Sequence, residues 1–154
     1  MTASRLAPLV ALVALAGCDT LGSGEIRFPG SLVQNALGVE TISAPDTVVA
    51  GRPFDVTVVT SGGGCIRQGD VTVETVAARA DVRPFNVFRD PGRNGGCTMD
   101  FILFEHRASV TFAAPGVATV RAVGSGGERG SGPPPAGAPL VTVERTVVVV
   151  PATF

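Results

Sequence analysis

Three cysteines and a single histidine carry the most reactive side chains in this sequence. Cys18 ends the stretch LVALAGC, where an apolar run gives way to the small residues Ala16 and Gly17. Cys65 and Cys97 each follow glycines, in SGGGC and NGGC. Because a thiolate is a good nucleophile, the cysteines are the first candidates for covalent chemistry.

The residues before Cys18 have the layout of a secretory signal peptide. Arg5 supplies a positive charge, residues 6–16 form a short apolar stretch broken only by Pro8, and small residues follow. A charged start, an apolar middle and a small-residue end are typical of a cleaved export signal. A membrane-spanning helix needs about 20 apolar residues, and this run is too short for one.

The tetrapeptide Leu15-Ala16-Gly17-Cys18 resembles the lipobox of bacterial lipoproteins. The resemblance implies that a diacylglyceryl group is attached to the Cys18 sulfur and that a signal peptidase cuts between Gly17 and Cys18. Two or more acyl chains hold a protein firmly to a membrane. We therefore expect residues 1–17 to be removed and the mature protein to sit in the bacterial cell envelope, lipid-anchored outside the cytoplasm. The choice between inner and outer membrane stays open.

Composition narrows the classes of fold and partner. All 12 basic residues are arginine, and 13 acidic residues balance them. Because the sequence has no basic run or patch, we expect no nucleic-acid partner. The 20 glycines and 12 prolines, together with abundant valine and no aromatic residue except phenylalanine, favour short strands joined by turns over helices.

The other two cysteines are candidates for a disulfide. With Cys18 assigned to lipid, Cys65 and Cys97 form one pair, and an oxidising compartment permits the bond. On the chain-entropy model it would stabilise the fold by roughly 3–4 kcal/mol. Two reduced thiols or a metal site are the alternatives. A metal site is disfavoured because His106 is the only histidine and no CxxC spacing occurs, so we expect neither metal nor cofactor.

The chain after residue 38 consists of short segments with strand-like alternation. In GRPFDVTVVT, for example, Phe54, Val56 and Val58 share one face, as a half-buried antiparallel strand requires. Pro84 predicts an edge strand or a bulge in its segment. No amphipathic helix separates the segments. The predicted strands lie within residues 39–43, 51–60, 70–77, 80–88, 98–106, 107–112, 117–124 and 140–150.

This pattern predicts an all-β fold, with one antiparallel β-sandwich over residues 38–154. The run APDTVVAGRPFDVTVV, the Pro-Gly turn into VATVRAV and the closing valine strand resemble bacterial immunoglobulin-like and fibronectin-like domains. The resemblance implies an immunoglobulin-like sandwich of about 7–8 strands. The absence of tryptophan departs from the antibody type. Residues 18–37 are turn-rich and predict a flexible tether that follows the lipid.

Two groups of loop residues are candidates for binding. A disulfide would bring together Arg67, Arg89, Asp90 and Arg93, either as a polar patch for an acidic or sugar partner or as a solvated loop surface. The long segment 124–139 contains Glu128 and Arg129. It is either a binding loop or a floppy insertion, since long loops are functional or disordered.

We expect the domain to be non-catalytic and to act as a structural or binding module, with an envelope protein or a polysaccharide as a partner. One alternative is a small envelope enzyme or metal-dependent accessory protein that uses His106. No GxSxG motif accompanies this histidine, and the charged run Glu105-His106-Arg107 predicts an exposed turn instead. A second alternative is docking through the C-terminal edge strand, because residues 147–150 are apolar on both faces.

Overall fold

A computed structural model describes residues 24–33, 38–126 and 132–153. These residues form an all-β fold of ten strands in one connected sheet, which confirms the predicted fold class. None of them forms a helix able to cross a membrane. The strands in chain order are β1 (Glu25–Pro29), β2 (Ser31–Leu32), β3 (Ile42–Ser43), β4 (Thr47–Val49), β5 (Phe54–Gly62), β6 (Ile66–Val76), β7 (Arg79–Arg89), β8 (Ile102–Val110), β9 (Gly116–Ser125) and β10 (Leu140–Val150).

The sheet curls because two groups of strands share a common core. In one group, β5 pairs with β8 along its whole length, and β2 and β3 share its other edge. In the other group, β9 lies between β10 and β7, with β4 beside β10 and β6 beside β7. The two short strands at the N-terminus join these groups, since β1 pairs with β7 whereas β2 pairs with β5.

Not every pairing is antiparallel, contrary to the prediction. Strand β7 runs parallel to β9 over Arg79–Val82, and β4 runs parallel to β10. A single residue pair, Ser31 with Ser125, adds a parallel contact between β2 and β9. Parallel neighbours need a long connection. The chain supplies one by passing from β7 through β8, in the other group, before it returns as β9.

The second half of the predicted tether belongs to the folded domain. Strands β1 and β2 lie within residues 18–37, and Phe28 and Leu32 are buried. The tether prediction is therefore wrong from Glu25 onward. In the sequence, Pro29-Gly30 resembles a turn. In the structure, Gly30 packs so closely against Thr60 that a Cβ on Gly30 would lie 2.7 Å from the Thr60 methyl group. The pairing partners of these strands are distant in sequence, so local pattern did not indicate them.

The core is built mainly from valine and alanine on alternating strand positions. The predicted inward face of β5 is confirmed, since Val56 and Val58 are fully buried and Phe54 packs against the same cluster. The other buried members of the cluster are Leu32, Ile42, Ala44, Val48, Ala80, Val82, Ala108, Val110, Phe112, Ala118, Val120, Ala122, Val147 and Val149.

Two strand predictions needed correction. The segments 98–106 and 107–112 form the single strand β8, because alternation runs through the charged residues at its centre. Strand β7, which contains Pro84, is interior to the sheet and not an edge, but the predicted irregularity is present. β6 shifts register between Gln68 and Val71, opposite Pro84, where proline offers no N–H to the ladder.

Candidate binding surface at the open end of the sheet

The two ends of the curled sheet differ in how they are closed. Phe54 pairs with Val110 at one end of β5 and β8, and Gly62 pairs with Ile102 at the other. At the first end the rings of Phe54 and Phe112 pack with centroids 5.8 Å apart. We call this the closed end, and the end at Gly62 and Ile102 the open end.

The predicted disulfide between Cys65 and Cys97 is present at the open end, with a Cα–Cα distance of 5.1 Å. The glycines before Cys65 allow the two loops to approach each other. A Cβ on Gly63 would lie 1.7 Å from the Asp100 carbonyl oxygen, and one on Gly64 would lie 2.5 Å from that of Thr98. Gly64 also has a φ of 63°, a conformation that glycine adopts without strain.

A shallow pocket of about 430 Å³ lies beside the disulfide. It contains three of the four residues predicted to form a polar patch, whereas Arg93 does not line it. The lining residues are Gly64, Cys65, Ile66, Arg67, Arg89, Asp90 and Pro91.

The charges around this pocket are balanced. Arg67 donates from Nη2 to Glu25 Oε1 at 2.6 Å, and Asp90 Oδ1 accepts from the Gly92 backbone N–H at 2.9 Å. Within the described ranges, Arg89 and Arg93 make no ion pair. Glu25, Asp90 and Asp100 match the three arginines of this end, Arg67, Arg89 and Arg93, in number. The net charge therefore gives no preference for an acidic partner.

The sequence analysis missed an apolar rim at the open end. Ile26 and Ile66 both pair with Phe88, on neighbouring strands, and Ile102 pairs with Gly62. All three side chains lie on the core-facing side of their strands, and Ile66 is buried. Ile26 is 50 % exposed and Ile102 is 44 % exposed. The run Phe101-Ile102-Leu103 was the sequence signal for such a surface, but the sequence analysis predicted only a strand there.

Met99 is a further exposed apolar side chain at the open end. Its side chain is 93 % exposed, the highest value among the large hydrophobic residues of the described chain. It lies two positions after Cys97, in the segment that packs against Gly63 and Gly64. The disulfide thus fixes a loop that presents an apolar side chain to the surroundings.

His106 does not lie in an exposed turn, and that prediction is wrong. It occupies the middle of β8, paired with Val58, and is only 1 % exposed. Its Nε2 atom lies 3.0 Å from Thr60 Oγ1, which also lies 3.2 Å from Asn86 Oδ1. Burial lowers the pKa of His106, and the Asp70 carboxylate opposes this shift. His106 Nδ1 has no hydrogen-bond partner in the described part of the chain.

The contact between Thr60 and His106 resembles the arrangement of a nucleophile and its base, but Thr60 is completely buried. A substrate cannot reach this hydroxyl in the observed fold. The described residues also contain no group of three or more His, Cys, Asp or Glu side chains that could hold a metal ion. The buried cluster of Thr60, Asn86 and His106 therefore positions strands relative to one another.

The other predicted residues are either outside the described part of the chain or in strand β10. Gly17, Cys18, Glu128 and Arg129 lie outside the described residues. At the C-terminus, Val148 and Val149 pair with β9 on one side and β4 on the other. Their backbone edges are therefore occupied within the domain.

Comparison of the chain with protein-family models, with curated proteins and with solved structures found no match. These comparisons assign no family.

Proposed function

We propose that this protein is a lipid-anchored component of a bacterial cell envelope, and that its β domain is a non-catalytic binding or structural module. The different roles of its three cysteines support the proposal. Cys65 and Cys97 are consumed by a disulfide, which leaves Cys18, the cysteine in the lipobox-like sequence. A disulfide also fits a compartment outside the reducing cytoplasm.

The pocket at the open end is the best-supported place for a partner. It has polar side chains on an open surface, as suits contact with a polysaccharide or another envelope protein. The alternative of catalysis by His106 has less support, because the histidine and its Thr60 neighbour are buried. The two strand groups around one core favour an immunoglobulin-like sandwich, with parallel pairing of β7 and β9 as a departure from that family.

Metabolic labelling with palmitate tests the anchor. The wild-type chain should incorporate label and fractionate with membranes, whereas Cys18→Ser should remain an unlabelled, uncleaved precursor. Cys65→Ser serves as the matched control and should keep its label. Normal processing of the Cys18→Ser protein would contradict the proposal.

A further inference from the structure

We propose that the open end of the sheet rests on the membrane surface that holds the Cys18 acyl chains, with Ile26, Met99 and Ile102 at the level of the lipid headgroups. This inference depends on the proposed lipidation of Cys18. The surface would be a phospholipid bilayer, and a partner of the pocket would then be bound beside that bilayer, at the level of the headgroups.

The length of chain between lipid and domain limits how far the two can separate. The described part of the fold begins at Gly24, whose carbonyl oxygen accepts a hydrogen bond from the Asp90 backbone N–H at 3.2 Å. Cys18 precedes Gly24 by about six residues, which span roughly 20 Å even when fully extended. A flexible segment of that length averages only about 13 Å between its ends. The anchor therefore keeps Gly24 close to the bilayer.

Gly24 lies at the open end, so that this end is the one held near the lipid. Glu25 pairs with Arg89 at the end of β7, and Arg89 N donates to the Cys65 carbonyl oxygen. Val117, in contrast, pairs with Val148 near the closed end. The nine residues of β5 separate the two ends by about 25 Å.

The chemistry of the open end suits a bilayer interface. Ile26, Met99 and Ile102 are exposed apolar side chains, and interfacial binding increases with buried apolar area. The long side chains of Arg89 and Arg93 can lie along such a surface and place their guanidinium groups near phosphate oxygens. Because Glu25, Asp90 and Asp100 balance the local arginines, the apolar contacts should dominate and binding should depend little on salt.

A single introduced tryptophan provides the test, because the natural chain contains none. Met99→Trp places the fluorophore on the proposed contact, and Val117→Trp places it on an exposed side chain at the closed end. Both lipidated mature proteins would be reconstituted into phosphatidylcholine vesicles with and without bromine on the acyl chains. Intact mass would verify the lipid, and circular dichroism would verify the fold.

Bromine should reduce the emission of Met99→Trp about twofold, since an interfacial side chain enters the headgroup and acyl boundary. The emission of Val117→Trp should stay unchanged, and high salt should alter neither result. Equal emission with and without bromine in a lipidated Met99→Trp protein would overturn the inference while leaving the anchor intact. A shift to shorter wavelength without quenching would indicate contact with a second protein copy and would also overturn it. A chain without lipid would refute both proposals.

Discussion

The closed and open ends of the sheet use the same strands but are stabilised differently. At the closed end, Phe54, Val110 and Phe112 fill the space between the strand groups. At the open end the inward-facing positions are occupied by Ile26 and Ile102, which are half exposed. A disulfide and the ion pair between Arg67 and Glu25 hold this end instead. Because a covalent bond holds the open end, its apolar side chains are not needed for packing. They stay exposed and are available for contact.

Removal of a core ring at the closed end should have the largest effect. Phe112→Ala leaves a cavity among fully packed residues and should lower the free energy of unfolding by about 3–5 kcal/mol. Thermal or denaturant unfolding followed by circular dichroism measures this loss. Leu140→Ala is the control, since Leu140 is exposed. Equal stability of the two variants would show that the closed end is not the packed core of the domain.

Removal of the disulfide should lower the stability nearly as much, but it should loosen mainly the open end. The double variant Cys65→Ala with Cys97→Ala should lose roughly 3 kcal/mol, because the unfolded chain gains the freedom of the opened loop. Amide hydrogen exchange should accelerate first in residues 88–90, at the open end, and least in residues 56–58. Uniform acceleration across the sheet would contradict the division into two ends.

The buried cluster between the ends should make stability depend on pH. Burial lowers the pKa of His106 in the folded protein, so the unfolded chain binds its proton at higher pH. The contribution of a neutral His106 is thus complete above about pH 6.5 and is lost as pH falls toward the lowered value. Unfolding curves across this range should show the loss, and His106→Gln should flatten it. A His106→Gln profile that follows the wild type would refute this assignment.

The smallest predicted effect concerns an exposed ion pair between β1 and β6. Arg27 donates to both carboxylate oxygens of Asp70, at 2.7 and 2.8 Å, and its guanidinium lies 3.2 Å from the centroid of the Phe85 ring. Both side chains are substantially exposed, so that Arg27→Lys should cost only about 0.5–1 kcal/mol. The paired arginine lowers the pKa of Asp70. This stabilisation is present above about pH 4 and is lost on acidification. A calorimetric loss of several kcal/mol in the Arg27→Lys protein would contradict a surface role.

Local sequence pattern predicted the parts of the fold that depend on local alternation. The inward face of β5 was found as predicted, since it depends on residues within one strand. Pro84 indicated an irregularity but not its place, because the register shift lies in the partner strand β6. The strands β1 and β2 were not predicted, because their stability comes from β7 and β5, whose residues are far away in the sequence. Parallel pairing of β7 with β9 has the same non-local origin.

The candidate site was predictable in part for the same reason. The sequence predicted that Arg67, Arg89 and Asp90 would lie near the disulfide, and the pocket contains all three. It did not indicate that His106 is buried, because flanking charges at Glu105 and Arg107 hid an inward-facing position. The apolar rim was also missed. Ile102 is exposed because it lies at the end of the sheet, and its residue type does not reveal that position.

Tandem mass spectrometry of the N-terminal tryptic peptide, isolated from membranes, tests the central claim most directly. The account predicts a peptide that begins at Cys18, ends at Arg27 and carries a diacylglyceryl group on the cysteine sulfur. A peptide that extends upstream of Cys18, or one that begins there with an unmodified thiol, would contradict it.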